Sequence, residues 1–298
     1  MQTKLFGSSG VRGVVRKDLT VDILNRLGMA IASSLPAHSR IIIATDSRTS
    51  RRYVKSALVH GLMSCGVDVI DFDTRAAAKN NPAAAGILPT PALAFFARDL
   101  NAVGIMITAS HNPPQYNGIK LFNPDGIGFD AEQEKKIQAL YISGKFRTGV
   151  NSTWRMQRVD KQLYFDYLKT MFASTVFPPL KVVVDPGNGA ASLFASELFT
   201  QMGIEVIPLN DSPDGKFPNR SPEPKEETLG GTFKFLQESG ADLAVCFDGD
   251  PTAWFSLTKR VLLTSTSQWH LCQCCPSKPP GKRRWSQPSK PAAYWTRL

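Results

Sequence analysis

Long hydrophobic runs are absent from the 298-residue sequence. No window approaches the roughly 18 consecutive apolar residues that a membrane-spanning helix needs. The segment Met1–Gly10 also lacks the apolar core of a signal peptide. Cysteine is scarce, with five residues in the whole chain, too few and too clustered for a disulfide scaffold. We therefore expect reduced thiols and a cytoplasmic protein that contacts no membrane.

Acidic residues are missing from the C-terminal part of the chain. Residues 251–298 contain eight Lys or Arg and no Asp or Glu, together with four of the five Trp and three of the five Cys. Residues 1–250 carry 27 Lys or Arg against 25 Asp or Glu, so most of the net charge of +10 lies in the last 48 residues. Two different compositions are therefore joined near position 250.

Apolar runs alternate with amphipathic segments through the first 250 residues, a pattern typical of βαβ units. We predict an α/β fold of two consecutive three-layer α/β domains with mixed, mostly parallel sheets. The polar stretch Ser143–Trp154 separates them and gives domains at 1–145 and 155–250. The remainder, 251–298, has no sustained periodicity and is predicted to be an irregular tail. The alanine-rich insert Thr74–Gly86 is expected to be a surface loop.

The element boundaries follow from apolar periodicity, capping residues and glycines. Helices are predicted at 21–35, Ser50–Cys65, Pro89–Asp99, Asp130–Tyr141, Val159–Phe172, Ala190–Met202 and Glu226–Ser239. Strands are predicted at Arg40–Thr45, Val67–Phe72, Ala102–Thr108, Ile119–Asn123, Leu180–Asp185, Ile204–Pro208 and Asp242–Phe247.

The segment Thr108–Lys120, TASHNPPQYNGIK, follows the apolar strand predicted at Ala102–Thr108. Open α/β sheets place reactive groups at the carboxyl ends of their strands, so Ser110 is a candidate nucleophile. His111 could move protons, and a turn at Asn117–Gly118 could bring Lys120 back toward the serine. An ordinary polar loop remains the alternative, because Ser, Asn and Pro favour turns in any protein.

Two further motifs suggest a cation site and an anion site. In Val245–Asp250, VCFDGD, Asp248 and Asp250 lie two residues apart on a glycine turn and could bind Mg²⁺, although a plain Asp-Gly turn explains the sequence too. In Phe6–Val14, FGSSGVRGV, glycines around Arg12 would let an arginine approach a phosphate closely, and a simple glycine-rich turn is the alternative.

Two other loops are predicted to be structural. Asp185–Ala190, DPGNGA, could bind phosphate at a helix N-terminus, but a tight connection that uses glycines at positive φ explains it equally well. Asp214–Pro224, DGKFPNRSPEP, is rich in proline and indicates an ordered loop rather than a catalytic one.

In this order, the motifs resemble those of the α-D-phosphohexomutase family, whose members include phosphoglucomutases, phosphomannomutases and phosphoglucosamine mutases. The resemblance covers about residues 4–250, and the serine loop is its most specific part. It rests on FGSSGVRG, the PTPAL segment at Pro89–Leu93, TASHNPPQYNGIKLFNPDG, DPGNGA, FPNRSPEP and FDGD.

The resemblance implies an isomerase that interconverts hexose 1- and 6-phosphates through a phosphoserine at Ser110 and a bisphosphorylated sugar. Mg²⁺ would be shared by Ser110, Asp248 and Asp250, which would stabilise the transferring phosphoryl group. Of the acid–base candidates, Lys120 is preferred because a crowd of cations would lower its pKa. The implied catalytic residues are Ser110, His111, Lys120 and Arg12, and the implied substrate-binding residues are Arg12, Asn112 and Lys120.

The chain departs from the family pattern inside the metal loop. The family continues Asp-Gly-Asp-x-Asp-Arg, whereas Thr252 and Ala253 stand here in place of the third carboxylate and the arginine. The family's third and fourth domains, which contact the sugar and its distal phosphate, find no match in 251–298. We therefore expect a truncated and frameshifted sequence with little or no turnover, and the sequence does not identify the hexose.

The alternative hypothesis is a non-catalytic α/β scaffold whose basic tail binds an anionic partner such as nucleic acid. The basic run Lys282–Arg284 with three nearby tryptophans is typical of a nucleic-acid-binding segment. A separate group in the tail, His270 with Cys272, Cys274 and Cys275, could bind a soft metal. For the mutase hypothesis the expected partner is a phosphosugar rather than nucleic acid or a membrane. The oligomeric state stays open.

Overall fold

The computed structural model describes residues 5–7, 10–74, 84–148, 151–174, 177–258 and 262–264 of the chain. Within these ranges, no helix is long and apolar enough to cross a bilayer.

A six-stranded sheet with strand order β1-β5-β4-β2-β3-β6 organises the first part of the chain. Strands β4, β2, β3 and β6 run parallel, whereas β5 is antiparallel to β4 and to β1. The elements are β1 (Val11–Val14), α1 (Val21–Ser34), β2 (Arg40–Thr45), α2 (Arg51–Ser64), β3 (Asp68–Asp73), α3 (Thr90–Asp99), β4 (Val103–Ile107), β5 (Tyr116–Phe122), α4 (Ala131–Ser143), β6 (Trp154–Arg158) and α5 (Lys161–Met171).

Successive residues of a strand point to opposite faces of the sheet, and apolar side chains on both faces of this sheet are covered by helices. In β2, Ile41 and Ile43 pack in a core shared with α1, α2 and α4. Their neighbours Ile42 and Ala44 pack in a second core with α3 and α5. The apolar run of β2 is therefore buried on both sides, as expected of a central strand in a three-layer domain.

Side-chain caps fix several helix ends. The Thr20 hydroxyl accepts from the Ile23 amide at the start of α1. Asp130 and Gln133 form a capping box at the start of α4, and Gly144 ends that helix in the left-handed conformation, φ 70°.

A five-stranded sheet with order β11-β10-β9-β7-β8 organises the second part. Strands β8, β7 and β9 are parallel, and β10 and β11 extend the sheet antiparallel. Its cores lie on both faces, one including Val183 and Leu236 and the other including Val182 and Val184. The elements are β7 (Lys181–Asp185), α6 (Ala195–Gln201), β8 (Glu205–Pro208), α7 (Gly230–Glu238), β9 (Leu243–Phe247), β10 (Trp254–Thr258) and β11 (Leu262–Thr264), with 3-10 turns at Ala190–Leu193 and Glu226–Thr228.

The predicted fold class, two α/β domains with mixed, mostly parallel sheets, is confirmed. Two predicted helices are shorter than expected. The segment 190–202 breaks at Phe194, φ −130°, into a 3-10 turn and α6. The segment 226–239 begins as a 3-10 turn and becomes α-helical only at Gly230.

Strand β6 follows the polar stretch that the sequence suggested as a domain boundary. It pairs in parallel with β3, for example Ile70 with Arg155, so the first sheet continues to Arg158. Phe165 of α5 also packs in a core of the first sheet and meets Phe194 of the second part edge-on at 6.0 Å. The exact domain limits stay a prediction.

The prediction of irregular structure from residue 251 onward is wrong at two places. Strand β10 pairs with β9 along its whole length, and β11 pairs with β10. Pairing with an established sheet supplies the order that local periodicity does not predict. The insert prediction also fails at its ends, because Thr74 and Ala84 are buried and joined by a hydrogen bond of 2.5 Å from Oγ1 to the carbonyl. Residues 75–83 lie outside the described part of the chain.

Candidate active site

Ser110 lies in the loop between β4 and β5, three residues beyond the carboxyl end of β4. Its backbone is left-handed, φ 54°, a conformation that costs a non-glycine residue about 1–3 kcal/mol. The residue is buried, and its amide donates to the Thr108 hydroxyl at 2.9 Å. Strain of this kind persists only where the surroundings enforce it, and it is typical of functional loops.

Ser110 meets the second sheet through Asp248, the first residue after β9. Its Oγ donates to Asp248 Oδ2 at 2.7 Å. Gly249 permits this approach, since a Cβ on it would lie 2.6 Å from the Ser110 carbonyl oxygen. The serine and the carboxylate, 138 positions apart in sequence, therefore share one buried site at strand ends.

The two carboxylates of the second loop have different environments, although both are buried. Asp250 Oδ2 pairs with Lys120 Nζ at 2.7 Å and accepts from Thr90 Oγ1 at 3.0 Å. Burial opposes its ionisation, but the Lys120 charge and the hydrogen bonds outweigh burial and hold the Asp250 pKa below its ordinary value. Burial, followed by the nearby Asp250 charge, raises the pKa of Asp248 to about 7.

Thr252 occupies the position at which the family pattern has a third carboxylate. Its hydroxyl donates to Asp250 Oδ1 at 2.7 Å and lies 3.2 Å from Ser110 Oγ. The Thr252 amide donates to Asp248 Oδ1 at 2.8 Å. Among the described residues, no group of three His, Cys, Asp or Glu is arranged to bind a metal. The donor set is therefore two carboxylates with two hydroxyls, all of them the hard oxygen ligands that suit Mg²⁺.

Arg12 and Asn112 lie together beside the serine loop. Arg12 is carried by β1, opposite Gly118 of β5, and its Nη1 donates to Asn112 Oδ1 at 2.9 Å. The Arg12 Nε is buried and has no hydrogen-bond partner among the described residues. A buried N–H that lacks an acceptor is suited to an incoming anion.

His111 and Lys120 differ from each other in exposure and in charge environment. His111 lies at the surface, and partial desolvation lowers its pKa, which favours the neutral imidazole. The direct charged partner of Lys120 is an anion, since its Nζ contacts the Asp250 carboxylate at 2.7 Å, and the expected effect of nearby cations stays a prediction.

Asp46, Arg48 and Thr108 belong to the site but are not predicted from the sequence. Asp46 Oδ2 accepts from Thr108 Oγ1 at 2.7 Å, and it pairs with the Arg48 Nε at 3.0 Å. Asp46 and Arg48 directly follow β2, and the strand-end argument applied to Ser110 could have found them.

The loops at Asp185–Ala190 and Asp214–Pro224 are joined by a buried ion pair. Arg220 Nε donates to Asp185 Oδ2 at 2.9 Å, and Arg220 Nη2 donates to the Asp185 and Phe247 carbonyls. The carboxylate also accepts from Thr232 Oγ1 at 2.6 Å. These contacts support the structural interpretation of both loops. The tail features at His270–Cys275 and Lys282–Arg284 lie outside the described residues.

Fold and site together have the organisation of an α-D-phosphohexomutase, with the serine loop after a strand of one α/β domain and the carboxylate loop after a strand of the next. The family description "Phosphoglucomutase/phosphomannomutase, alpha/beta/alpha domain I" matches residues 3–148, and "domain II" of the same family matches residues 162–258. The chain belongs to the phosphoglucomutase/phosphomannomutase family.

Individual relatives agree with this assignment. A "Probable phosphoglucosamine mutase" of Methanothermobacter thermautotrophicus is 38% identical over 250 residues, which cover 83% of this chain and 52% of the relative. A phosphopentomutase of Thermococcus kodakarensis is 37% identical over 248 residues, with 83% and 52% covered. A phosphoglucomutase/phosphomannomutase family protein from Burkholderia thailandensis superposes with a TM-score of 0.73 at 30% identity, covering 88% of this chain and 56% of that one. The chain thus spans about half the length of these relatives.

Proposed function

We propose that the chain transfers a phosphoryl group between Ser110 and a hexose phosphate, and so serves the interconversion of hexose 1- and 6-phosphates. The observation that carries this proposal is the 2.7 Å hydrogen bond from Ser110 Oγ to Asp248 across the two domains. It gives a strained, buried serine a carboxyl neighbour that an ordinary polar turn does not need.

The transfer has two halves. In the first, the bond between phosphorus and the Ser110 oxygen breaks while a sugar hydroxyl oxygen bonds to phosphorus, and the hydroxyl proton passes to a base. In the second, the other ester bond of the bisphosphorylated sugar breaks, the Ser110 oxygen bonds to that phosphorus, and the released sugar oxygen takes a proton. The phosphoserine is regenerated and the sugar phosphate is isomerised.

Four polar residues beside Ser110 have complementary roles in this proposal. Arg12, with its unpartnered Nε, neutralises a substrate phosphate, and Asn112 holds Arg12 in place. Lys120, paired with Asp250, stabilises the transferring phosphoryl group or protonates the leaving oxygen. His111, whose lowered pKa favours the neutral imidazole, can accept the hydroxyl proton.

Mg²⁺ fits the oxygen donors of this site. Ser110 Oγ or its phosphate, Asp248 and Asp250 would hold the ion, which neutralises charge on the transferring phosphoryl group when bound. Thr252 contributes a neutral hydroxyl where the family pattern has a carboxylate. Asp248 and Asp250 are both fully buried at this site, and a divalent cation would neutralise two carboxylates held in one buried loop.

The identity of the sugar is left open by the relatives, since proteins of nearly equal identity are named for glucosamine and for pentose phosphates. The low turnover expected from the sequence also stays a prediction. A coupled assay that converts hexose 1-phosphate to hexose 6-phosphate would check it against a Ser110→Ala variant.

Single-step phosphorylation tests the proposed function without requiring turnover. The dephosphorylated protein is incubated with glucose 1,6-bisphosphate and Mg²⁺, and phosphate on the protein is located by intact mass and peptide mapping. We expect one phosphoryl group on Ser110, none on Ser110→Ala, and unchanged labelling of the matched control Ser152→Ala. Equal labelling of the Ser110→Ala variant would refute the assignment.

A further inference from the structure

The side chain of Arg48 is fully buried and is directed at the backbone of the serine loop. Its Nε pairs with Asp46, so the guanidinium is anchored on the strand end of β2. Its Nη atoms donate to four carbonyl oxygens of the loop, those of Ser110 at 2.9 Å, Asn112 at 2.6 Å, Pro113 at 2.6 Å and Tyr116 at 3.1 Å.

All five N–H groups of a guanidinium are accounted for by this arrangement. A planar fork can satisfy four carbonyls and one carboxylate together, whereas an ammonium has three donors and no fixed plane. One of the four carbonyls belongs to Ser110 itself, the residue with the left-handed backbone. The hydrogen bonds of Arg48 therefore offset the strain that this backbone carries.

A loop of the second domain packs against the same segment. The Phe217 ring centroid lies 5.3 Å from the Arg48 Cζ, and Phe217 is itself buried with a left-handed φ of 52°. Gly215 lies against the backbone of Ser47–Thr49, where any Cβ would collide with main-chain atoms. The second domain thus contacts the cation that holds the serine loop.

We propose that Arg48 is a positioning residue for Ser110, and that Phe217 of the second domain locks Arg48 in its working geometry. The proposal rests on the proposed function, since the reaction is that of Ser110. Arg48 acts through the loop backbone and makes no hydrogen bond with Ser110 Oγ. Docking of the loop 214–217 then determines whether Ser110 faces Asp248.

The test uses the full chain with Phe217→Leu and Arg48→Lys, and with Tyr167→Leu as the matched control. Tyr167 also stacks on an arginine, with the Arg98 Cζ 4.7 Å from its ring centroid, but it lies on α5 and packs against the core that α5 shares with α3. Phe217→Leu keeps a buried apolar side chain, so it remains informative if Arg48→Lys fails to fold.

Two readouts separate positioning from general stability. The first is Ser110 phosphorylation by glucose 1,6-bisphosphate, resolved into the maximal rate and the half-saturating concentration. The second is hydrogen–deuterium exchange of the peptide that contains residues 108–117. We expect Phe217→Leu to lower the maximal phosphorylation rate about tenfold, because the free energy of one lost cation–π contact corresponds to a rate change of about this size. The half-saturating concentration of glucose 1,6-bisphosphate should change little. Exchange should accelerate in the serine loop, and Tyr167→Leu should change neither readout.

The two readouts distinguish failure of the positioning role from failure of the proposed function. An unchanged maximal rate and unchanged loop exchange in Phe217→Leu would overturn the positioning role. If the unaltered protein takes up no phosphate, the proposed function fails and loop exchange alone decides: faster exchange in Phe217→Leu supports the role of Arg48, and equal exchange refutes it.

Discussion

The buried ion pair between Arg220 and Asp185 leads to a stability prediction for Arg220→Met. The arginine side chain is 3% exposed and the aspartate side chain is fully buried. The substitution keeps an apolar stem of similar length and removes the charge. Asp185 would then stay in the interior without its cation.

The expected loss in the free energy of unfolding depends on the hydrogen bonds that the Asp185 carboxylate retains. Breaking one partner of a buried ion pair typically costs about 3–5 kcal/mol, because a charge is left uncompensated. Asp185 still accepts hydrogen bonds from the Gly187 amide, Asn210 and Thr232, which places this case at the lower end. We therefore expect Arg220→Met to lower the free energy of unfolding by about 3 kcal/mol.

Urea denaturation followed by circular dichroism measures this change. The control is Lys169→Met, which breaks an exposed pair with Asp166 on α5 and should change the free energy of unfolding little, because solvent screens the pair. Adding Asp185→Asn to Arg220→Met should recover part of the loss, since no charge then remains buried. A loss for Arg220→Met no larger than that of the surface control would refute the reasoning.

Three further predictions concern the site and its surroundings. Thr252→Asp adds a third anionic oxygen and should tighten Mg²⁺ binding by about tenfold in calorimetric titration, whereas Thr252→Val should weaken it; equal affinities would exclude a ligand role. Gly249→Ala should abolish Ser110 phosphorylation because its Cβ would meet the Ser110 carbonyl, while Gly231→Ala, in open space on α7, should leave it intact and stabilise the helix by about 0.5–1 kcal/mol. Burial raises the pKa of Cys246 to about 12, so mass-spectrometric mapping should find it unalkylated at pH 8 in the folded protein and alkylated in urea. Because the thiol stays protonated in the folded protein, its contribution to the free energy of unfolding is fully present below pH 9 and is lost as the pH rises toward 12. Alkylation of Cys246 at pH 8 in the folded protein would contradict its burial.

Local sequence determined the identity and order of most elements. The continuous apolar run of β2 and the caps at Thr20 and Asp130 act through contacts that are short in sequence, so periodicity and residue type are sufficient to predict them. The serine loop and the carboxylate pair were predicted for the same reason, because each directly follows a recognisable buried strand.

Only the tertiary structure decided how these groups combine. The pairing of β6 with β3 and of β10 with β9 depends on a partner strand distant in sequence, and neither segment has a strong period of its own. The charge environment of Lys120 follows from Asp250, which is 130 residues away. A strand-end position could have marked Arg48 as a site residue, but only the folded loop shows that its partners are four carbonyls of the serine loop. Sequence patterns determined which chemical groups are available, and long-range packing determined which of them meet.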